Sequence, residues 1–113
     1  MKTLKKEQAI TRRNGSACTV SEYPIEDQDI NGAVVELSGR YPDHGRVMND
    51  MCKELIFVVS GSGCAEIEGE TVDLSEGSML LLEPRERYFL DGNMRLFVPC
   101  APAWYPEQHR AVA

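Results

Sequence analysis

The chain has 113 residues, 42% apolar and 27% charged, with a net charge of −6. That length gives one domain with a core of its own, and that balance excludes a disordered chain, a collagen and a disulfide miniprotein. The charge is uneven: Met1–Arg13 holds five basic side chains against Glu7, and the rest holds seven against seventeen acids. Such an acidic body argues against nucleic acid, where Lys and Arg must neutralise phosphates.

Cys18, Cys52, Cys64 and Cys100 form no C-x-x-C pair, and with His44 and His109 they make no zinc-finger spacing. Met1–Arg13 lacks the apolar centre of a signal peptide. The longest strictly apolar run, Leu55–Val59, is far short of a membrane span. A cytoplasmic protein follows, with no membrane contact and with reduced thiols serving as small core residues.

In chain order, residues 1–16 read as a basic, partly flexible extension in which Lys2–Ile10 is the one modest helix candidate, and residues 17–113 as a barrel. A strand is expected around Cys18–Tyr23. Asn31–Gly32 is a turn signal before the strand Ala33–Leu37, and Gly39, Pro42 and Gly45 punctuate the stretch after it. Glu54–Val59 is β-branched and aromatic, stopped by Ser60–Gly63. Ala65–Glu68 and Thr71–Leu74 alternate with period two around a hairpin at Gly69–Glu70. Ser75–Gly77 turns the chain into Ser78–Glu83. Arg87–Leu90 is short, and Asp91–Gly92 reads as a further hairpin turn before Met94–Val98. The Pro-rich segment from Pro99 to Pro106 cannot join a central strand. It reads as a strap anchored by Trp104 and Tyr105, with His109 in a solvated tail. Short strands at this spacing predict an all-β sandwich or closed barrel.

Within Ala33–Pro99, Glu54 is followed after six residues by Gly61, and Glu76–Gly77 opens a second strand pair after a short segment. On these motifs and their order the chain resembles the small single-domain cupins, the RmlC-like jelly rolls of the conserved-barrel type. The resemblance implies a double-stranded β-helix. It also implies a metal site of three His and one Glu, of which only Glu54 is present. The expected His pair falls on Val47 and Asn49, or one residue later on Met48 and Asp50; the last His position falls on Tyr88, flanked by Arg87 and Phe89. No cofactor is therefore expected: no stoichiometric iron, manganese, nickel or zinc. Glu54 and Tyr88 are the candidate catalytic residues; Glu54, Tyr88, Asn49, Asp50 and Arg46 are the candidate ligand-binding set. Alternation puts Glu54, Ile56 and Val58 on the barrel-lining face. A buried carboxylate there needs a partner, for which Arg46, Arg87 or Tyr88 are candidates, or a proton.

Three functions remain open at this point. One is binding of a small polar, neutral or anionic molecule in the barrel. The second is a small cupin enzyme, an isomerase, lyase or dioxygenase, with a non-standard metal shell. The third is a structural or regulatory homodimer. Leu55, Phe57 and Val59 make the second face of the same strand apolar too, so either the Cys18–Tyr23 strand or a second copy is expected to cover it.

Overall fold

The alternating apolar pattern organises itself around one long central strand. The computed structural model describes residues 1–113 as nine strands and two single-turn 3-10 helices, Lys6–Gln8 and Pro106–Gln108. The strands are β1 (Ile10–Arg13), β2 (Cys18–Tyr23), β3 (Asn31–Tyr41), β4 (Arg46–Asn49), β5 (Lys53–Ile67), β6 (Glu70–Ser75), β7 (Met79–Leu82), β8 (Tyr88–Ala101) and β9 (His109–Val112). Strand β8 is flanked on one edge by β3, from Tyr41↔Leu90 to Asn31↔Cys100, and on the other by β5, from Ile67↔Tyr88 to Lys53↔Ala101. Beyond β3 lie β2 and then β1. Beyond β5 lie β6 and β7, paired with its second and first halves. Strand β4 meets β8 at Val47↔Tyr88 and carries β9 on its other side. All pairs are antiparallel, and the sheet curls into a barrel-like shell, so that Tyr88 and Cys100, at the two ends of β8, line one cavity. No helix is long and apolar enough to cross a membrane.

Along β8 the side chains of Tyr88, Leu90, Met94, Leu96, Val98 and Cys100 point inward and are buried. In β5 the inward set is Glu54, Ile56 and Val58, as period two requires. A bulge between Val58 and Ser60 then shifts the parity, and Ala65 becomes the buried position. Leu96, Val58 and Ile56 are almost wholly removed from water, worth roughly 1.5–3 kcal/mol each.

Four sequence expectations shift here, and the first two share a cause: glycine serves close approach as well as turns. Ser60–Gly63 does not stop a strand, and Asp91–Gly92 is not a hairpin, because β5 and β8 run straight through both and pair there. Gly61 has φ +87, and a Cβ on it would stand 2.0 Å from the Asn93 carbonyl oxygen; one on Gly92 would stand 2.5 Å from the Gly63 Cα. Only glycine lets the two backbones lie this close. The hairpin between β5 and β6 sits one residue earlier than Gly69–Glu70. Ile67 and Glu70 close it, and Glu68 and Gly69 take φ +49 and +85, the positive pair of a type I′ turn. The Lys2–Ile10 helix reduces to the turn Lys6–Gln8, and Ile10–Arg13 instead form β1 against β2.

Candidate functional site

The cavity inside the curled sheet has a volume of about 260 Å³. Its wall is mostly apolar, from Val20, Val35, Ile56, Leu90, Leu96 and Val98; Tyr41, Glu54, Tyr88, Trp104 and His109 add polar atoms, and no lysine or arginine is among its lining residues. Strand pairing explains why these meet. Glu54 lies beside Cys100, which lies beside Asn31, in one row across β5, β8 and β3. Pro99–Ala101, expected to stay out of any central strand, instead end β8 between β3 and β5, with Pro99 opposite Gly32 and Cys100 between Asn31 and Glu54. The strap begins after them and returns over that row, because the Asn31 side chain grips the Trp104 backbone twice: Trp104 N–H donates to Oδ1 at 2.8 Å, and Nδ2 donates to the Trp104 carbonyl at 2.9 Å. Gln108 ties the strap further on, its Oε1 accepting from the N–H groups of Met51 and Cys52 at 3.0 and 2.9 Å.

Glu54 is buried, and its Oε1 accepts a hydrogen bond from Asn49 Nδ2. Burial pushes its carboxyl up to about 7, against the smaller opposing effect of that hydrogen bond. Asn49 is the hub behind it. Its Oδ1 accepts from Trp104 Nε1 at 2.9 Å and meets His109 Nδ1 at 2.8 Å, while His109 Nε2 lies 2.8 Å from the Tyr41 hydroxyl. The His109 ring stacks on Tyr41, their planes 12° apart, and meets Trp104 edge-on. Burial lowers the His109 pKa and holds the imidazole neutral. Tyr41 and Tyr88 are both raised, first by burial; a charge on Glu54 would raise each further. Both phenols are therefore neutral, and both stand within electrostatic reach of Glu54.

Of the residues singled out in the sequence, Glu54 and Tyr88 line the cavity, and Asn49 is buried directly behind Glu54. Of the three positions around Tyr88, it is Tyr88 that turns inward. Arg87 faces out to Glu68 at 2.9 Å, and the Phe89 ring lies 4.1 Å from the Arg40 guanidinium. Asp50 and Arg46 do not line the cavity: Asp50 pairs with Arg110 and Arg46 with Glu66, each at 2.6 Å. Glu54 has no arginine partner; its partner is an amide. His109 is no solvated tail residue, because β9 pairs with β4 and swings its ring between Tyr41 and Asn49. Sequence reasoning missed Tyr41 and His109. The only signal was that the aromatic strap runs on into a short alternating segment, Arg110–Val112, able to pair.

The ligands of a three-His, one-Glu metal site are not assembled here. No histidine stands on β4, and both nitrogens of His109 are already committed. Cys52, Glu54 and Cys100 do place their ligating atoms within 4.8 Å of one another. A hydrogen bond with Cys52, and then burial, holds Cys100 as a thiol. This set offers three donors and no imidazole, unlike the three-His, one-Glu shell that the resemblance implies.

No protein-family model matches the sequence, and no curated protein matches it. Solved structures do. Pac13, described as a unique nucleoside dehydratase, superposes with a TM-score of 0.89 at 19% identity, covering 97% of this chain and 89% of that one. A variant of Streptomyces PAC13 with uridine gives the same score at 20% identity, covering 99% and 92%. The polyketide cyclase RemF from Streptomyces resistomycificus gives 0.75 at 15% identity, covering 100% and 86%. Ectoine synthase from P. lautus gives 0.73 at 15%, covering 100% and 91%. These likenesses span nearly the whole chain and carry the fold: the chain is a cupin-type β-barrel.

Proposed function

We propose that this protein binds a neutral, polar small molecule inside its barrel and acts on it by acid–base chemistry, as a lyase or isomerase without a bound transition metal. The observation that carries this is the cavity itself. It is roomy, largely apolar, bordered by an aromatic strap, and furnished with a buried carboxyl whose pKa is lifted to about 7. Binding sites are built this way, and a carboxyl poised near neutrality can give or take a proton at working pH. Without a lysine or arginine in the wall, an anionic ligand would find no counter-charge, which disfavours an anion. The uridine-bound barrel and the nucleoside dehydratase of the same fold support a nucleoside-sized ligand. The protein works in the cytoplasm, where its four free cysteines stay reduced. Uridine is the first probe: methyl NMR signals of Leu90, Leu96 and Val98 should shift saturably, and filling the cavity with Ile56→Phe should abolish the shifts. Shifts that are absent in the wild type, or that persist in Ile56→Phe, would refute the reading.

The working unit is a homodimer. Leu55, Val59, Met79, Leu81 and Phe97 form one outward apolar surface over β5, β7 and β8, each between 36% and 64% exposed. Strand β2 leaves this surface open, since it pairs edge to edge with β3. Ion pairs rim the patch, Lys53–Glu83 on one side and Arg95–Glu36 on the other. Both signs are thus available to a second copy about a two-fold axis. Light scattering at micromolar concentration should give twice the chain mass with or without reductant; a monomer would refute it.

A further inference from the structure

The hydrogen bonds behind the cavity wall fix the orientation of Asn49 and put a proton on His109 Nδ1. Indole Nε1 is a donor and nothing else, so the Asn49 atom facing Trp104 is its oxygen and the Asn49 amide NH2 faces Glu54. Glu54 Oε1 must then accept, so when the carboxyl is protonated the proton sits on Oε2. The same Asn49 oxygen meets His109 Nδ1, so that nitrogen bears the N–H. A neutral imidazole has only one, so Nε2 is bare and accepts from the Tyr41 hydroxyl. The remaining capacity of the Tyr41 oxygen is to accept.

We infer that with Glu54 protonated the cavity presents a donor at Glu54 Oε2 and an acceptor at the Tyr41 oxygen, and selects an uncharged ligand bearing a carbonyl oxygen for the first and a hydroxyl or N–H for the second. Tyr88, on the same wall, has a hydroxyl that serves either role. Asn49 and His109 are positioning residues. Neither needs to touch the ligand, yet together they decide which atoms of Glu54 and Tyr41 can. A ligand with the opposite pattern would leave a buried donor and a buried acceptor unmatched, a defect that sites of this kind discriminate strongly. A phosphate or carboxylate would in addition face Glu22 and Glu54 with no cation in the wall.

This inference rests on the cavity being the binding site, but its core is testable without any ligand. The chain has two histidines, and His44 is exposed, so a His109→Gln variant assigns the signals. Nitrogen-15 NMR of the full chain at neutral pH should show His109 in the Nδ1–H form with Nε2 unprotonated. In Asn49→Asp the new carboxylate should convert His109 to imidazolium. An Nε2–H tautomer, or an even mixture, in the wild type would overturn the donor–acceptor pattern even if uridine binds. A ligand arm separates the two readings. Uridine should bind at least tenfold more tightly than uridine 5′-monophosphate, and equal or tighter binding of the monophosphate would overturn the selection for an uncharged ligand. If neither binds, the binding reading above falls, while the tautomer result still decides the donor–acceptor pattern.

Discussion

Strand β5 has two faces that are built on opposite terms. Inward, Glu54 is buried beside Ile56 and Val58, and its one polar group is held by Asn49, which is held in turn by Trp104 and His109. Outward, Leu55 and Val59 sit in an apolar sheet surface with Met79, Leu81 and Phe97, and nothing within the chain covers them. The inner face depends on directional bonds, so losing one member leaves the others without their partner. The outer face depends on non-directional burial, which a partner surface can supply in many ways. Changes inside should therefore show up as lost stability and altered proton affinities. Changes outside should show up as altered assembly with the fold intact.

The largest effect should come from Asn49→Leu. It removes the partner of Glu54, Trp104 Nε1 and His109 Nδ1 together, and at about 1–3 kcal/mol per stranded group, not fully additive, the loss should be roughly 3–4 kcal/mol. Chemical denaturation checks it; a loss under about 1 kcal/mol would mean that water replaces the amide and that the inner face is not built as described.

Next in size is the pH dependence of stability. The folded carboxyl of Glu54 sits at about 7, above its ordinary value of 4.5. The native state therefore holds this proton more tightly than the unfolded chain does. The associated stability is fully present below about 4.5 and is lost as pH rises through about 7, roughly 3 kcal/mol. Glu54→Gln should flatten that decline while keeping an amide in the carboxyl's place. A decline of equal size in the variant would assign it to other groups.

On the outer face, Phe97→Glu should leave the unfolding free energy of the single chain within about 0.5 kcal/mol and convert a dimer to a monomer in light scattering. An unchanged mass would place the interface elsewhere. Smallest of all, Arg110→Ala breaks an ion pair with Asp50 in which the arginine side chain is largely exposed. It should cost only about 0.3 kcal/mol. A larger loss would show that β9, and with it His109, depends on that contact.

How far the sequence carried this picture differs between the same two faces. Period-two alternation was enough to place Glu54, Ile56 and Val58 inside and Leu55, Phe57 and Val59 outside, and the turn spacing was enough for an all-β barrel. Local pattern failed where the cause was remote. The glycines at 61, 63 and 92 look like turn residues, yet they are there because two backbones touch. Asp50 looked as eligible as Asn49, and which of the two turned inward depended on a strand pairing, β4 with β9, between segments about sixty residues apart. His109 carried no local signal at all, since its place between Tyr41 and Asn49 exists only once the strap has returned alongside the cavity.

The most direct test is the ionisation of one side chain. Carbon-13 NMR of the Glu54 carboxyl, assigned by its loss in Glu54→Gln, should titrate near pH 7. A midpoint near the ordinary 4.5 would show a solvated carboxylate and contradict the neutral acid on which the account of the cavity stands.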